Sequence, residues 1–570
     1  MTSTLPPGTC NIASQLVAMA RLQPFTAAVM SPEGKTRAGR TRYAHLTYQQ
    51  LEQESEWISA GLRAQGILPG ARAAVMVRPS LNLFALTFAL FRSGIAPVLI
   101  DPGIGVRQMG RCLDEAEPDL FFGVPEAVIL RKVLGWAKRT IRQVIWVPNE
   151  RRHWPIPFPF RTTLDDVRGV GRELLDRDPK PTPTIHACGK NETAAILFTS
   201  GSTGPPKGAI YTHSMLEAQV DRLRDLYAIE PGEIDLCTFP LFALFAPALG
   251  MTSIIPDMDP TRPARVNPAN IFEVFRDFGV TNLFGSPALL RRLTSAGGTE
   301  RLAFPTLKRV VSAGAPASSR TLEQFSRLLI PPAQIFTPYG ATEALPVASI
   351  GSDEVLGETR SATDRGEGVC VGMPVPGITV KVIRINDRPI AAWSDDLEVP
   401  DGEIGEIAVS GPVVSRKYFN RPEATALAKI ADPENGTFYH RMGDVGYFDD
   451  TGRIWFCGRK SHRVILEDET LFTIPCEAVF NTHPEISRTA LVGVSRNGST
   501  IPVLCVEPVA RLTGSDRKRI GDDLRAIAER FPHTRRIQTF LFHDSFPVDI
   551  RHNAKIFREK LAVWAAGSLK

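Results

Sequence analysis

Residues Leu197 to His213 read LFTSGSTGPPKGAIYTH. A β-rich apolar run, AAILF, opens into a loop carrying the hydroxyls of Thr199, Ser200, Ser202 and Thr203, the glycines Gly201, Gly204 and Gly208, and one cation, Lys207. Glycines let a backbone approach an anion closely, and hydroxyls and amides donate hydrogen bonds to its oxygens. The stretch therefore predicts a phosphate cradle at the end of a strand. It is not a Walker A loop, because Lys207 lies between Pro206 and Gly208 and is not followed by a Ser or Thr that opens a helix.

Outward from the loop, helical patterns such as YQQLEQESEWISAGLRAQG alternate with short β-rich runs, RAAVMV, APVLI and RQVIWV. That alternation predicts an α/β protein with largely parallel sheets. The Pro- and aromatic-rich segment from Glu150, ERRHWPIPFPFRTTLDD, reads as a surface excursion joining two subdomains. Beyond Gly372, the segments GITVKVIRI, GEIGEIAVSG and GRIWFCGR predict an antiparallel sheet or distorted β-barrel. The last hundred or so residues read as a compact α+β unit.

At 570 residues, 43% hydrophobic and 22% charged, the chain is an ordinary globular sequence too long for one core. A net charge of +5, with short basic clusters lacking interleaved aromatics, predicts no nucleic-acid partner. Eight scattered cysteines without a C-x-x-C pair suit a reducing cytoplasm, and no secretory signal opens the chain. Leu236 to Pro256, LCTFPLFALFAPALGMTSIIP, carries no charge and is long enough to span a bilayer. It is solitary and interrupted by Pro240 and Pro247, so it predicts a strand, a proline-marked turn and a helix start, and no membrane span.

TSGSTGPPKG resembles the signature loop of the adenylate-forming superfamily of acyl-CoA synthetases, peptide-synthetase adenylation domains and luciferases. SAGAP (Ser312–Pro316), YGATEA from Tyr339, YHRMGD and GRK follow in the family's order. The resemblance implies ATP and Mg²⁺ as cofactors, a large N-terminal domain over residues 1–458, a hinge at 459–461 and a small C-terminal domain over 462–570. It places Gly314, Ala315, Pro316 and Tyr339 against adenine, Gly340 and Ala341 among the cofactor-binding residues, the catalytic Thr342 at the α-phosphate and Glu343 on Mg²⁺, and Asp444 and Arg459 on the ribose. Lys555, in PVDIRHNAKIFR, becomes the catalytic lysine, set between a carboxylate and an α-phosphate whose charges repel.

Departures from the family pattern gather at the thiol step. The hinge residue is Ser461, the glycine loop is replaced by VILEDETLF with Glu467, Asp468 and Glu469, Ala554 precedes Lys555, Met442 replaces a threonine, and Ala243 stands where a His or aromatic is usual. An adenylated β-hydroxy acid needs no external thiol, because its own hydroxyl can close a β-lactone and expel AMP. FPLFALFAPALGMTSIIPDMDPTRPARVNP and PYGATEALPVASIGSDEVL, and with them nearly the full length, resemble the β-lactone-forming branch that serves bacterial long-chain olefin biosynthesis. That implies a 2-alkyl-3-hydroxy fatty acid substrate and assembly with other enzymes of olefin biosynthesis. Phe242, Ala243, Phe245 and Gly250 are then the pocket residues, with Ala243 making room for the second branch. His440, His462 and His552 are candidate bases for the hydroxyl by residue type alone. A long-chain acyl-CoA or acyl-carrier-protein ligase is the enzymatic alternative, and a silent lipid-binding protein the non-enzymatic one.

Overall fold

The computed structural model describes residues 5–148, 162–177, 185–199, 205–297, 304–496, 498–548 and 556–569. Most of the segment read as a surface excursion, residues 150–161, lies outside them. Two sheets organise the large part of the chain. In the first, the parallel strands Thr193–Thr199, Ala96–Ile100, Arg72–Met76, Leu120–Gly123 and Gln143–Trp146 lie in that order, and Lys207–Thr212 returns antiparallel on the outer edge. The runs read as strands from their β-branched and apolar content thus occupy one sheet.

Between strands run helices whose ends are written in the sequence. Thr47 caps Tyr48–Ala64 in a capping box with Gln50. Ser80 caps Leu81–Arg92, in which every residue from Leu83 onward is buried. Burying Phe84 and Phe88 contributes about 1.5–3 kcal/mol each. Arg92, which breaks the apolar run in the sequence, is buried too, with its guanidinium 2.8 Å from Glu52 and 3.0 Å from Glu56 on the neighbouring helix.

The second sheet has 14 strands. Its parallel part runs Thr252–Ile254, Ile234–Cys237, Asn282–Gly285, Arg309–Ser312 and Gln334–Ala341. Its antiparallel part continues through Ala344–Gly351, Val369–Pro374, Ile454–Arg459, Thr437–Phe448, Gly405–Ser410 and Thr379–Ile383. The strands expected as a distorted barrel are therefore hydrogen-bonded into the parallel sheet through Ala348↔Pro374 and Ser349↔Met373. Functional residues from both parts consequently share one backbone framework.

The apolar run Leu236–Pro256 resolves into the end of strand Ile234–Cys237, one-turn helices Pro240–Ala243 and Ala246–Leu249, and strand Thr252–Ile254. Both prolines sit in the first turn of a helix, where a missing N–H costs nothing. No described helix is long and apolar enough to cross a membrane.

The C-terminal part has a three-stranded sheet, Ile486–Arg496, Ser499–Pro508 and Thr539–Phe542, with helices Gly514–Arg530 and Arg558–Ser568. Arg558 reaches Glu477 on helix Thr473–Phe480 at 2.6 Å. The segment read as a replaced glycine loop is a tight hairpin, Val464–Ile465 paired with Thr470–Leu471. Two of its three acids, Asp468 and Glu469, are paired with Arg536, so the acidic character expected of it is partly neutralised.

Candidate active site

Strand Thr193–Thr199 and strand Lys207–Thr212 pair in register from Lys207↔Thr199, so the phosphate-loop sequence bridges a hairpin. Ser200, Gly201, Ser202, Thr203 and Gly204 lie outside the described residues, as do Lys555 and His552. Gly208 is required by packing: a Cβ there would stand 2.7 Å from the Phe198 ring and 2.9 Å from Ile196. Its carbonyl accepts from Phe419 N at 2.8 Å, and Ala209 bridges Tyr418. That pairing sets the Tyr418 ring 5.1 Å from Lys207 Nζ.

Thr342 and Glu343 form the two-residue turn between strands Gln334–Ala341 and Ala344–Gly351, whose Ala341 and Ala344 are partners. Gly340 and Ala341 are the strand residues leading into it. Tyr211 donates to the Thr342 carbonyl, tying this turn to the phosphate hairpin. Tyr418 donates to Glu343 Oε1 at 2.6 Å, and Ser415 N donates to the Glu343 carbonyl at 2.7 Å. Burial, with the Glu343 charge beside it, raises the Tyr418 phenol far above its ordinary range, so it stays a donor. One Glu343 oxygen is thereby fixed, and the other meets no protein donor among the described residues. A half-buried carboxylate oxygen beside a phosphate hairpin fits a hard divalent cation.

Asp444 and Arg459 are cross-strand partners. The Arg459 guanidinium is 3.0 Å from Asp444 Oδ1, off the hydrogen-bonding line, and Tyr339 donates to Oδ2 at 2.8 Å. Asp444 is buried, and desolvation raises its carboxyl while Arg459 opposes the rise. Oδ1 is left as a buried acceptor without a hydrogen bond, which a ribose hydroxyl would satisfy. Tyr339, expected to stack on adenine, has its hydroxyl on the carboxylate and its ring 6.0 Å from Phe456. Gly443 has φ +67°, a conformation that turns the strand just before Asp444. Met442, in place of threonine, is in the core. Gly314, with φ +93°, Ala315 and Pro316 form the bend after strand Arg309–Ser312.

Beside this polar cluster is an apolar cavity walled by Phe242, Phe245, Phe284, Tyr227, Leu345 and Pro346 and reaching Ala313 and Pro338. Phe242 and Phe284 stack at 4.4 Å. Ala243 and Gly250, expected in the pocket, are not in its lining. Ala243 is packed into the core at 1% exposure, and Gly250, at φ +88°, closes helix Ala246–Leu249 against Pro231 and Met19.

His440 is buried with Nδ1 on the Ala428 carbonyl at 3.2 Å, and desolvation keeps it neutral. His462 stands 3.5 Å from Glu559, and burial brings it down to about 4. Two functional candidates escaped the sequence reading, Tyr418 and Lys429. Lys429 bonds the Ser415 carbonyl, and burial lowers its ammonium to about 7, with the Glu343 charge acting in the opposite sense. Nothing periodic marks either; Tyr418 is brought in by the pairing of residues 417–419 with the phosphate hairpin, and Lys429, at the start of strand Lys429–Asp432, by its bond to Ser415.

A two-sheet α/β body whose strand ends and turns collect a phosphate hairpin, a cation-ready carboxylate and a ribose-ready aspartate defines a nucleotide-activating enzyme. The chain belongs to the AMP-binding enzyme family, whose model matches residues 21–419. It is 47% identical over 98% of its length to the olefin beta-lactone synthetase of Xanthomonas campestris pv. campestris, of which it covers 98%. It is 48% identical to the olefin beta-lactone synthetase of Stenotrophomonas maltophilia, over 98% of this chain and 99% of that one. A fatty acid–[acyl-carrier-protein] ligase of Streptomyces coeruleorubidus is 25% identical over 83% of this chain and 82% of its own. In fold, ATP-bound MatB from Rhodopseudomonas palustris matches with a TM-score of 0.76 at 20% identity, covering 99% of this chain and 100% of that one. The amide bond synthetase McbA from Marinactinospora thermotolerans matches at 0.75 and 22%, covering 97% and 99%.

Proposed function

We propose that the protein adenylates a long-chain 2-alkyl-3-hydroxy fatty acid with ATP, releases pyrophosphate, and closes the acyl adenylate to a β-lactone and AMP in olefin biosynthesis. The observation that carries this reading is the 47–48% identity, over nearly the whole chain, to two olefin beta-lactone synthetases. The ribose is held by Asp444 Oδ1 and Arg459, the phosphates by Lys207 and the hairpin it closes, and the α-phosphate by Thr342. Glu343 would hold Mg²⁺, which when bound neutralises phosphate charge. Lys555 is the residue assigned to offset the repulsion between carboxylate and α-phosphate as the acyl–phosphate bond forms and pyrophosphate leaves. In the second step the β-hydroxyl oxygen bonds to the acyl carbon as its proton passes to solvent or a basic group, the acyl–phosphate bond breaks, and AMP departs with the electron pair. The alkyl chain occupies the cavity beside Phe242 and Phe245. The chain divides at 459–461 into a body (1–458) and a C-terminal domain (462–570), and works in the cytoplasm with other enzymes of the same pathway.

The acyl-CoA or carrier-protein ligase reading has weaker support, because the segment that would present a thiol arm is a glycine-free hairpin. Incubation with ATP, Mg²⁺ and a 2-alkyl-3-hydroxy acid, with and without CoA, decides between them by NMR of the products. Lactone, AMP and pyrophosphate without CoA are expected; thioester formed only with CoA would overturn the reading. Lys555→Ala is expected to lower adenylation by about 10²-fold or more while ATP still binds.

A further inference from the structure

The apolar cavity has a polar floor. Asp235 and Asn282 are register partners on adjacent parallel strands, and both line the cavity. They lie two residues before Cys237 and Phe284, so about 6–7 Å further along the strands from the end that leads, through Gly285↔Ser312, into the Gly314–Pro316 bend. Both are buried, at 4% and 5% exposure. Asn282 Nδ2 donates to Asp235 Oδ1, while Asn282 Oδ1 has no hydrogen-bond partner among the described residues. The neighbouring cation, Arg309, is committed to Glu233 through both its terminal nitrogens, so Asp235 has no counterion of its own. Burial accordingly raises the Asp235 carboxyl to about 7. The end of an otherwise hydrocarbon-lined space is thus backed by a buried amide oxygen, without a hydrogen bond among the described residues, and by a carboxyl group. A methylene pressed against these groups satisfies neither of them.

We propose that Asp235 and Asn282 are specificity-determining residues, a polar end-stop that admits one alkyl arm of the substrate only as far as the pair and discriminates against longer arms. The proposal rests on the acyl-adenylate reading above and adds a length limit to it. In the apolar stretch, each added methylene should raise kcat/KM by about fourfold, the equivalent of about 0.8 kcal/mol. Once the arm reaches the pair, that gain should stop and reverse.

The test measures pyrophosphate release with a series of 2-alkyl-3-hydroxy acids of increasing arm length, and in parallel with unbranched fatty acids. Wild-type protein should show a maximum followed by a fall of about tenfold over the next few carbons. In Asp235→Val/Asn282→Leu, the maximum should move at least two carbons longer, with activity on the shortest acids retained. Asp235→Asn, which keeps a polar floor, should keep the wild-type maximum; Asn282→Leu alone replaces the double variant if the latter does not fold. An unshifted maximum in the apolar variant would overturn the end-stop. Turnover of unbranched acids alone would instead overturn the β-hydroxy acid reading, and the length series would still test the pair.

Discussion

Tyr339 donates a 2.8 Å hydrogen bond to Oδ2 of Asp444 across 105 positions of sequence, and Arg459 flanks the other oxygen at 3.0 Å. The carboxylate is oriented before a nucleotide arrives, with one acceptor left toward the site.

Asp444→Asn should therefore raise the Kd for ATP at least tenfold, about 1.4 kcal/mol, while the fold persists. Burial raises the pKa of this carboxyl, so wild-type ATP affinity should begin to fall, on acidification, at a higher pH than an ordinary aspartate would dictate. Isothermal titration across pH checks both outcomes.

Lys429→Met should separate stability from activity. The folded protein holds this ammonium at about 7, below its unfolded value of about 10.4. Charging it costs the folded state, and the cost is full below about pH 7 and fades as pH rises toward 10. The variant should melt several degrees higher than wild type at pH 6, with the difference vanishing near pH 10, and should adenylate more slowly at every pH. Calorimetry and pyrophosphate release read the two effects.

Asp449→Asn addresses the turn that aligns strands Thr437–Phe448 and Ile454–Arg459. Burial acts against the Asp449 charge, but hydrogen bonds from Trp455, Thr451 and Arg453 outweigh it and hold the carboxyl below its ordinary range. Its contribution is present above the unfolded value near 3.9 and is lost as pH falls through the lower folded value. The variant should lose about 1 kcal/mol at pH 7, a figure already reduced for solvent screening, and the loss should shrink below pH 4. Urea denaturation at pH 7 and pH 3 measures it.

Phe242→Ala and Ala243→Phe, adjacent in sequence, should behave in opposite ways. Removing the Phe242 ring opens the cavity and breaks its stack on Phe284, raising KM for long-chain acids about tenfold with little effect on short ones. A phenylalanine at 243 overpacks the core, costing about 1–3 kcal/mol of stability for every substrate alike. A selective loss of branched substrates in Ala243→Phe would restore the pocket role that its burial denies.

The sequence disclosed these features unequally. Helix and strand alternation was legible because apolar spacing differs between the two, and capping residues such as Thr47 and Ser80 mark where helices begin. The phosphate loop, the Glu343 turn and Asp444 were legible as compact motifs. Continuity of the antiparallel strands with the parallel sheet was not, because edge pairing such as Ser349↔Met373 leaves no local pattern. Tyr418 and Lys429 were hidden for a related reason: Tyr418 is an ordinary residue in an irregular segment until pairing with the phosphate hairpin gives it neighbours, and Lys429 opens a short strand whose place beside Ser415 leaves no local pattern. The Asp235–Asn282 pair left one trace, a charge inside a short apolar strand.

The wall formed by Leu236–Pro256 also bears on how a turnover ends. A substrate acid enters with a carboxylate for the nucleotide end to grip, whereas a lactone leaves with neither that charge nor a link to AMP, so only hydrocarbon contacts retain it. Each methylene held there slows escape into water by about fourfold. Exit should therefore behave as partition between two oils, slow into buffer and fast into a micelle or vesicle that offers the second phase, so that the acceptor sets the pace of the cycle.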